Sequence, residues 1–176
     1  MNSDIIDGLR TKAGNKVLRL SEVFDKYGKT INYVIELKQG NEAGINAFEK
    51  LVDEYGLSDR ITVQSKSPEV LEKFEHKYPY IPKLFVCRTQ QELDQTADNP
   101  YVDIISVKAA AGLMTESNCE KVHDQDKLFS AWTLDSEEEI IKAIDIGVDI
   151  YFTNNTQLAL TLEREYGLKE GNRRGE

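Results

Sequence analysis

Strand-like and helix-like segments alternate along almost the whole chain, and this alternation constrains the fold more than any other feature. Apolar or β-branched runs predict strands at 31–37, 61–64, 84–87, 103–107, 128–134 and 149–153. Between them, apolar residues recur at helical spacing, most clearly over 42–55 and 136–146. A repeated βα pattern of this kind predicts an α/β protein with a parallel sheet.

The boundaries of the predicted helices support this interpretation. Ser67 and Pro68 are typical of a helix start, with an N-cap residue followed by proline in the first turn. Gly56 and Gly147 follow two of the helical segments, where a left-handed residue releases the chain toward the next strand. The pattern describes architecture and does not indicate a function.

Size and charge limit the classes of function. The chain has 176 residues, enough for one domain with a real core, and its 22 basic and 31 acidic side chains give a net charge of −9. Such a charge argues against binding to nucleic acid or anionic lipid. Apolar stretches long enough to span a membrane and a secretory signal are both lacking, so we expect a cytoplasmic protein. We expect one domain over 1–168 and a polar tail over 169–176.

The cysteines and histidines give little indication of chemistry. Cys87 and Cys119 have no metal-binding spacing, and we predict free buried thiols rather than a disulfide. His76 and His123 lie in charged segments without a recognisable partner, so neither is expected to be catalytic.

Charged residues end the first predicted strand. Side chains alternate along a strand, so Glu36 and Lys38 share one face with Val34. Two opposite charges on a face that should be buried are costly without a purpose. Glu36 is therefore a candidate metal ligand and Lys38 a cation that faces an anion, and a salt bridge on a solvated face is the alternative.

Five short motifs in order resemble those of a known family. They are Leu20-Ser-Glu-Val-Phe, Asn32-Tyr-Val-Ile-Glu-Leu-Lys, Val63-Gln-Ser with Ser67-Pro-Glu-Val-Leu, Ala131-Trp-Thr, and Gly147-Val-Asp with Phe152-Thr-Asn. Together they resemble the glycerophosphodiester phosphodiesterase family over about residues 17–166. The resemblance implies a TIM-type (β/α)₈ barrel that uses a divalent cation to hydrolyse glycerophosphodiesters to an alcohol and glycerol 3-phosphate.

The resemblance also implies roles for three residues. Glu36 matches the metal-binding glutamate of the family's third strand, for Mg²⁺ or Ca²⁺, and Lys38 matches the basic catalytic residue beside it. Trp132 matches the aromatic residue that packs against the glycerol portion of the substrate. Without the family, Trp132 would be interpreted as a core aromatic residue.

The chain also departs from the family pattern. It has no His-Arg-Gly strand, no second catalytic histidine and no acidic pair of metal ligands. We therefore expect an incomplete barrel of about six parallel strands with outer helices, which lacks the first two strands and in which cation binding is doubtful. Lys66 replaces an aromatic residue that usually follows Gln-Ser, and Asn154 replaces a usual aspartate.

Three functions follow from these observations. The chain is the carboxyl-terminal part of a phosphodiesterase that is inactive alone, or one half of a split enzyme that pairs with a partner chain or a second copy through exposed sheet edges. The third is a non-catalytic module that binds glycerol phosphates. A different phosphate-binding enzyme would need a base, for which the candidates are Glu36, Asp103 and Asp149. The two aspartates each begin a strand and are expected to cap loops.

Overall fold

The strands and helices follow the predicted βα order. The computed structural model describes residues 8–38 and 40–167, and the following bounds refer to this part of the chain. The strands are β1 Tyr33–Glu36, β2 Ile61–Ser65, β3 Lys83–Cys87, β4 Ile104–Lys108, β5 Leu128–Trp132 and β6 Ile150–Phe152. The α-helices are α1 Leu20–Tyr27, α2 Glu42–Tyr55, α3 Pro68–Glu75, α4 Gln90–Thr96, α5 Glu116–His123, α6 Glu137–Asp145 and α7 Thr156–Leu162. Every strand predicted from the sequence is present, shifted by at most two residues at an end.

The described strands form one sheet in which each strand lies beside its neighbour in the sequence, from β1 to β6. The pairs from β2 to β6 are all parallel. The first pair is parallel too, because the amides of Tyr33 and Leu37 donate to the carbonyl oxygens of Arg60 and Gln64, so that both strands advance together. Six parallel strands in sequential order are the arrangement of a TIM-type barrel over part of its ring of strands. The predicted fold class is confirmed.

One compact unit contains residues 8–33 and 41–61 of the described chain. Phe24 on α1 is 1% exposed, and its ring contacts those of Tyr33 and Tyr55, with centroids 5.1 and 5.4 Å away. Helix α2 begins after Asn41, whose side chain accepts a hydrogen bond from the Gly44 amide, and ends at the left-handed Gly56. The predicted span of this helix is confirmed.

The second unit contains residues 34–38, 40 and 62–167 of the described chain. All five residues of β3 are buried, as expected for a strand covered on both faces. On one face Leu84, Val86 and Ile104 form an apolar cluster. The partly buried side chains that pack against this cluster are Trp132, Ile150 and Phe152.

Aspartates join neighbouring strands at their amino ends. Oδ2 of Asp103, immediately before β4, accepts a hydrogen bond of 2.7 Å from the Lys83 amide at the start of β3. Oδ2 of Asp149, immediately before β6, accepts one of 2.8 Å from the Phe129 amide on β5. The prediction that both aspartates are structural caps is confirmed.

The polar tail predicted over 169–176 lies outside the described residues. Within the described residues, no helix combines the length and apolar character needed to cross a membrane.

Candidate functional site

The carboxyl ends of the strands carry the polar and aromatic side chains of the candidate site. Parallel strands place all their carboxyl ends at the same edge of the sheet, which is where barrel enzymes build their active sites. Each of the six described strands ends in, or is followed directly by, a charged or aromatic residue: Glu36, Lys66, Arg88, Lys108, Trp132 and Phe152.

All of these residues except Lys108 line a cavity of about 240 Å³ at this edge. Its lining includes both charged and apolar groups, so it can hold a ligand with a charged end and a carbon skeleton. The residues important for its chemistry are Glu36, Lys66, Arg88, Ser106, Trp132 and Phe152.

Glu36 faces a lysine in this cavity. Nζ of Lys66 lies 3.6 Å from Oε1 of Glu36, and the two side chains are 45% and 25% exposed. Oε1 is itself buried and accepts no hydrogen bond from a described residue. The ammonium group therefore stands close to the oxygen that was predicted to bind a metal.

The donors around Glu36 do not fit a hard divalent cation. Such a cation takes six or more oxygen ligands, usually from several carboxylates. Among residues 8–38 and 40–167, no group of three or more histidine, cysteine, aspartate or glutamate side chains could hold a metal. Lys66 adds a positive charge beside the one carboxylate of the described cavity lining. Glu36 can serve as a metal ligand only with additional oxygen donors from elsewhere.

Trp132 ends β5 with its indole group held in place. Its Nε1 donates a hydrogen bond of 3.1 Å to the carbonyl oxygen of Ser106 on β4. The ring also packs against the cluster formed by Leu84, Val86 and Ile104, while part of it lines the cavity. This gives the cavity a rigid apolar wall that suits the carbon atoms of a small ligand.

Lys38 follows β1, beyond Glu36, and the alternation of side chains predicts the same face for both. It is exposed and is not among the described residues that line the cavity. The structure thus brings Glu36 and Trp132 to one cavity, whereas Lys38 is not among the residues that line it. The roles predicted for all three stay predictions.

Two cations at this edge, Arg88 and Lys108, were not predicted from the sequence. Arg88 follows β3 and lines the cavity, while Lys108 is the last residue of β4. Neither side chain has a hydrogen bond or ion pair with another described residue. A signal was present in the sequence, because each of β2, β3 and β4 ends in a basic residue or is followed directly by one, and Lys38 comes two residues after β1.

A second polar cluster lies at the opposite, amino-terminal ends of the strands. Nε2 of His123 lies 2.8 Å from Oδ2 of Asp149, and Sγ of Cys119 lies 3.8 Å from Nδ1 of the same ring. The expectation that His123 lacks a partner is therefore wrong. Cys119 is 2% exposed, and burial followed by the charge of Asp149 raises its pKa to about 11. A buried thiol of this kind is a poor nucleophile, so the cluster is structural.

Known proteins resemble this chain in both sequence and fold. The model of the glycerophosphoryl diester phosphodiesterase family matches residues 5–158. The glycerophosphodiester phosphodiesterase of Bacillus subtilis strain 168 is 27% identical over 165 residues. That match covers 87% of this chain and 56% of the relative, so the chain spans little more than half the length of this protein.

Solved structures share the fold. The crystal structure of a glycerophosphodiester phosphodiesterase from Parabacteroides distasonis superposes with a TM-score of 0.78 at 16% identity, covering 93% of this chain and 71% of that one. An Oleispira antarctica phosphodiesterase, solved with the product sn-glycerol-3-phosphate, has a TM-score of 0.65 at 16% identity and covers 80% and 57% of the two chains. Because the family model matches most of the sequence, this chain belongs to the glycerophosphoryl diester phosphodiesterase family.

Proposed function

We propose that this chain provides the substrate-binding edge of a phosphodiesterase that converts glycerophosphodiesters to an alcohol and glycerol 3-phosphate. The observation that carries the proposal is the cavity in which Glu36, Lys66 and Trp132 meet at the carboxyl ends of parallel strands. The family membership and the sn-glycerol-3-phosphate bound by the Oleispira antarctica phosphodiesterase support the choice of ligand.

The proposed roles follow from the chemistry of the side chains. Lys38 and Lys66 contact phosphoryl oxygens, since an ammonium group is a compact cation with three donors. Trp132 packs against the glycerol carbons. A divalent cation would require oxygen donors in addition to Glu36.

We propose further that the 176-residue polypeptide binds without turnover. Among the described residues, the cavity lining contains no histidine, and Glu36 is its one carboxylate. Hydrolysis of a diester needs a general acid or base placed at the reacting oxygen, and the Glu36 carboxylate already forms an ion pair with Lys66. Apart from Glu36, the described lining of the cavity therefore offers neither a carboxylate nor an imidazole for proton transfer.

The test uses the single tryptophan of the chain as a reporter. We expect glycerol 3-phosphate to change Trp132 fluorescence saturably in the presence of EDTA, and we expect no choline release from glycerophosphocholine. Lys38→Gln should weaken binding about tenfold, because a charge-assisted hydrogen bond is lost. Lys50→Gln, on the exposed surface of α2, is the control for the change of net charge. No saturable binding by the unaltered chain would contradict the proposal.

A split enzyme is the second candidate, and the edge strands favour it. Val34 on β1 is 47% exposed and the residues of β6 are only partly buried, whereas β3 is buried throughout. Unpaired strand edges promote association. Sedimentation analysis would show a species larger than 20.0 kDa if a second copy covers these edges. A monomer at all concentrations would leave a partner chain of different sequence as the remaining form of this candidate.

A further inference from the structure

The basic residues at the carboxyl edge fall into two pairs on neighbouring strands. The amide of Leu37 donates to the carbonyl oxygen of Gln64, which places Leu37 opposite Ser65 and therefore Lys38 opposite Lys66. The ladder of β3 and β4 pairs Cys87 with Val107, so the next residues, Arg88 and Lys108, are also opposite one another.

The second pair lies two residues further along the strands than the first pair. Ser65 is paired with Phe85, so Lys66 is level with Val86, two residues before Arg88. Lys108 is paired with Trp132, and Trp132 with Phe152. The pair of Arg88 and Lys108 therefore stands at the level of the two aromatic residues, ~7 Å beyond the first pair along the strands.

Both pairs place like charges side by side. Neighbouring strands lie ~4.8 Å apart, and like charges opposite one another destabilise a sheet. In the first pair, Glu36 offsets the charge of Lys66. In the second pair, neither side chain has an ion pair with a described residue. This unbalanced positive charge is unusual for a chain with a net charge of −9.

We infer that Arg88 and Lys108 form a second anion subsite, which favours glycerol phosphates that carry a second phosphate group on their carbon skeleton. The inference rests on the proposed function, in which the first pair holds the diester. Arg88 lines the cavity together with Lys66 and Trp132, so one ligand can reach both levels. A guanidinium group can bind two phosphate oxygens at once, and a lysine beside it adds a further donor.

The test compares two probes that differ by one phosphate group, glycerol 3-phosphate and 2-hydroxypropane-1,3-diyl bisphosphate. Both are titrated against the full chain in EDTA, with Trp132 fluorescence as the readout. The bisphosphate should bind about tenfold more tightly, as expected for one added charge-assisted hydrogen bond. Arg88→Gln and Lys108→Gln should each remove most of this preference, because each variant should weaken binding of the bisphosphate more than binding of glycerol 3-phosphate.

Two controls make the result specific. Lys50→Gln removes the same charge from α2 and should change neither affinity, whereas Arg88→Lys keeps the charge and should retain part of the preference. Equal affinity for the two probes, or equal losses for both in Arg88→Gln, would overturn this inference alone. Failure of glycerol 3-phosphate to bind at all would overturn the proposed function, and this inference with it.

Discussion

The hydroxyl groups of Ser106 and Ser130 lie 3.0 Å apart on neighbouring strands, and both residues are almost completely buried. The two residues are direct partners in the ladder of β4 and β5. A buried hydroxyl group that lacks a hydrogen bond destabilises the folded state, so each serine satisfies the other. The same Ser106 also accepts the indole hydrogen bond of Trp132 through its carbonyl oxygen. The pair thus belongs to the support of the candidate site.

We expect the two serines to be energetically coupled. Ser106→Ala or Ser130→Ala alone leaves one buried hydroxyl group unpaired and should lower the free energy of unfolding by ~1–3 kcal/mol. The double variant removes both groups, so its loss should be smaller than the sum of the single losses. Urea denaturation of the four proteins measures this cycle. Strict additivity would show that the hydroxyl groups do not depend on each other.

Glu36→Gln should hardly change stability. Oε1 of Glu36 accepts no hydrogen bond from a described residue, and its one ion pair, with Lys66, is partly exposed. Partly exposed pairs of this kind contribute ~1 kcal/mol or less. We therefore expect the free energies of unfolding of the two proteins to differ by no more than about 1 kcal/mol, measured by urea denaturation in EDTA.

The same variant tests the predicted metal ligand. A cation bound at 100 times its dissociation constant would stabilise the fold by ~2.7 kcal/mol. The described donors are too few for this, so millimolar Mg²⁺ or Ca²⁺ should not raise the Tm of the unaltered chain. A rise that is lost in Glu36→Gln would instead show that a complete cation site exists around this residue.

Both thiols should resist modification in the folded protein. Cys87 and Cys119 are free and buried, as predicted from the sequence. Burial is the main cause that raises the pKa of each to about 11. At about pH 8 only roughly one thousandth of each thiol would be the reactive thiolate. We expect no reaction with Ellman's reagent in buffer and two thiols per chain in guanidinium chloride; rapid reaction of the folded chain would contradict this prediction.

The sequence predicts the sheet well because each strand is a compact apolar run. Segments such as 61–64 and 84–87 contain branched and aromatic residues that can be buried on both faces, which is the demand of a parallel sheet. Strand ends were less predictable. Lys83 begins β3 although it is charged, because its ammonium group, 1% exposed, donates to the carbonyl oxygens of Pro79 and Ile81 and pairs with Glu75. Only tertiary structure supplies these partners.

The candidate site likewise has features that the sequence predicts and features that it does not. Glu36 and Trp132 could be predicted because their motifs resemble those of the family, and the structure places both at one cavity. The pairing of charged residues across strands could not be predicted, because it depends on the register between the strands. The proximity of Lys66 to Glu36 and the pairing of Arg88 with Lys108 appear only when the ladders are known. Prediction of strand register from one sequence is weak at the polar ends, where no apolar face fixes it.

Asn154 holds a carboxylate at the end of β6. Its backbone amide donates to Oδ1 of Asp135 at 2.7 Å, and its side-chain Nδ2 donates to Oδ2 at 2.9 Å. These two hydrogen bonds are the main causes that lower the pKa of Asp135 from its ordinary value. A lowered pKa in the folded state means that the carboxylate stabilises the fold above its unfolded pKa, and that this contribution is lost as the pH falls through the folded pKa.

Asn154→Asp, which introduces the aspartate expected here from the family resemblance, should destabilise this chain at neutral pH. The change replaces the Nδ2 donor by a second carboxylate facing Asp135, and the repulsion raises the pKa of the pair in the folded state. A raised folded pKa makes the destabilisation largest at about pH 7 and smaller as the pH falls toward about 4. Thermal unfolding across this range measures the difference in Tm.

Asn154→Ala is the control, because it removes the same hydrogen bond without adding a charge. Its loss of Tm relative to the unaltered chain should stay constant between about pH 7 and about pH 5. Parallel pH curves for the two variants would show that the new carboxylate does not sense Asp135.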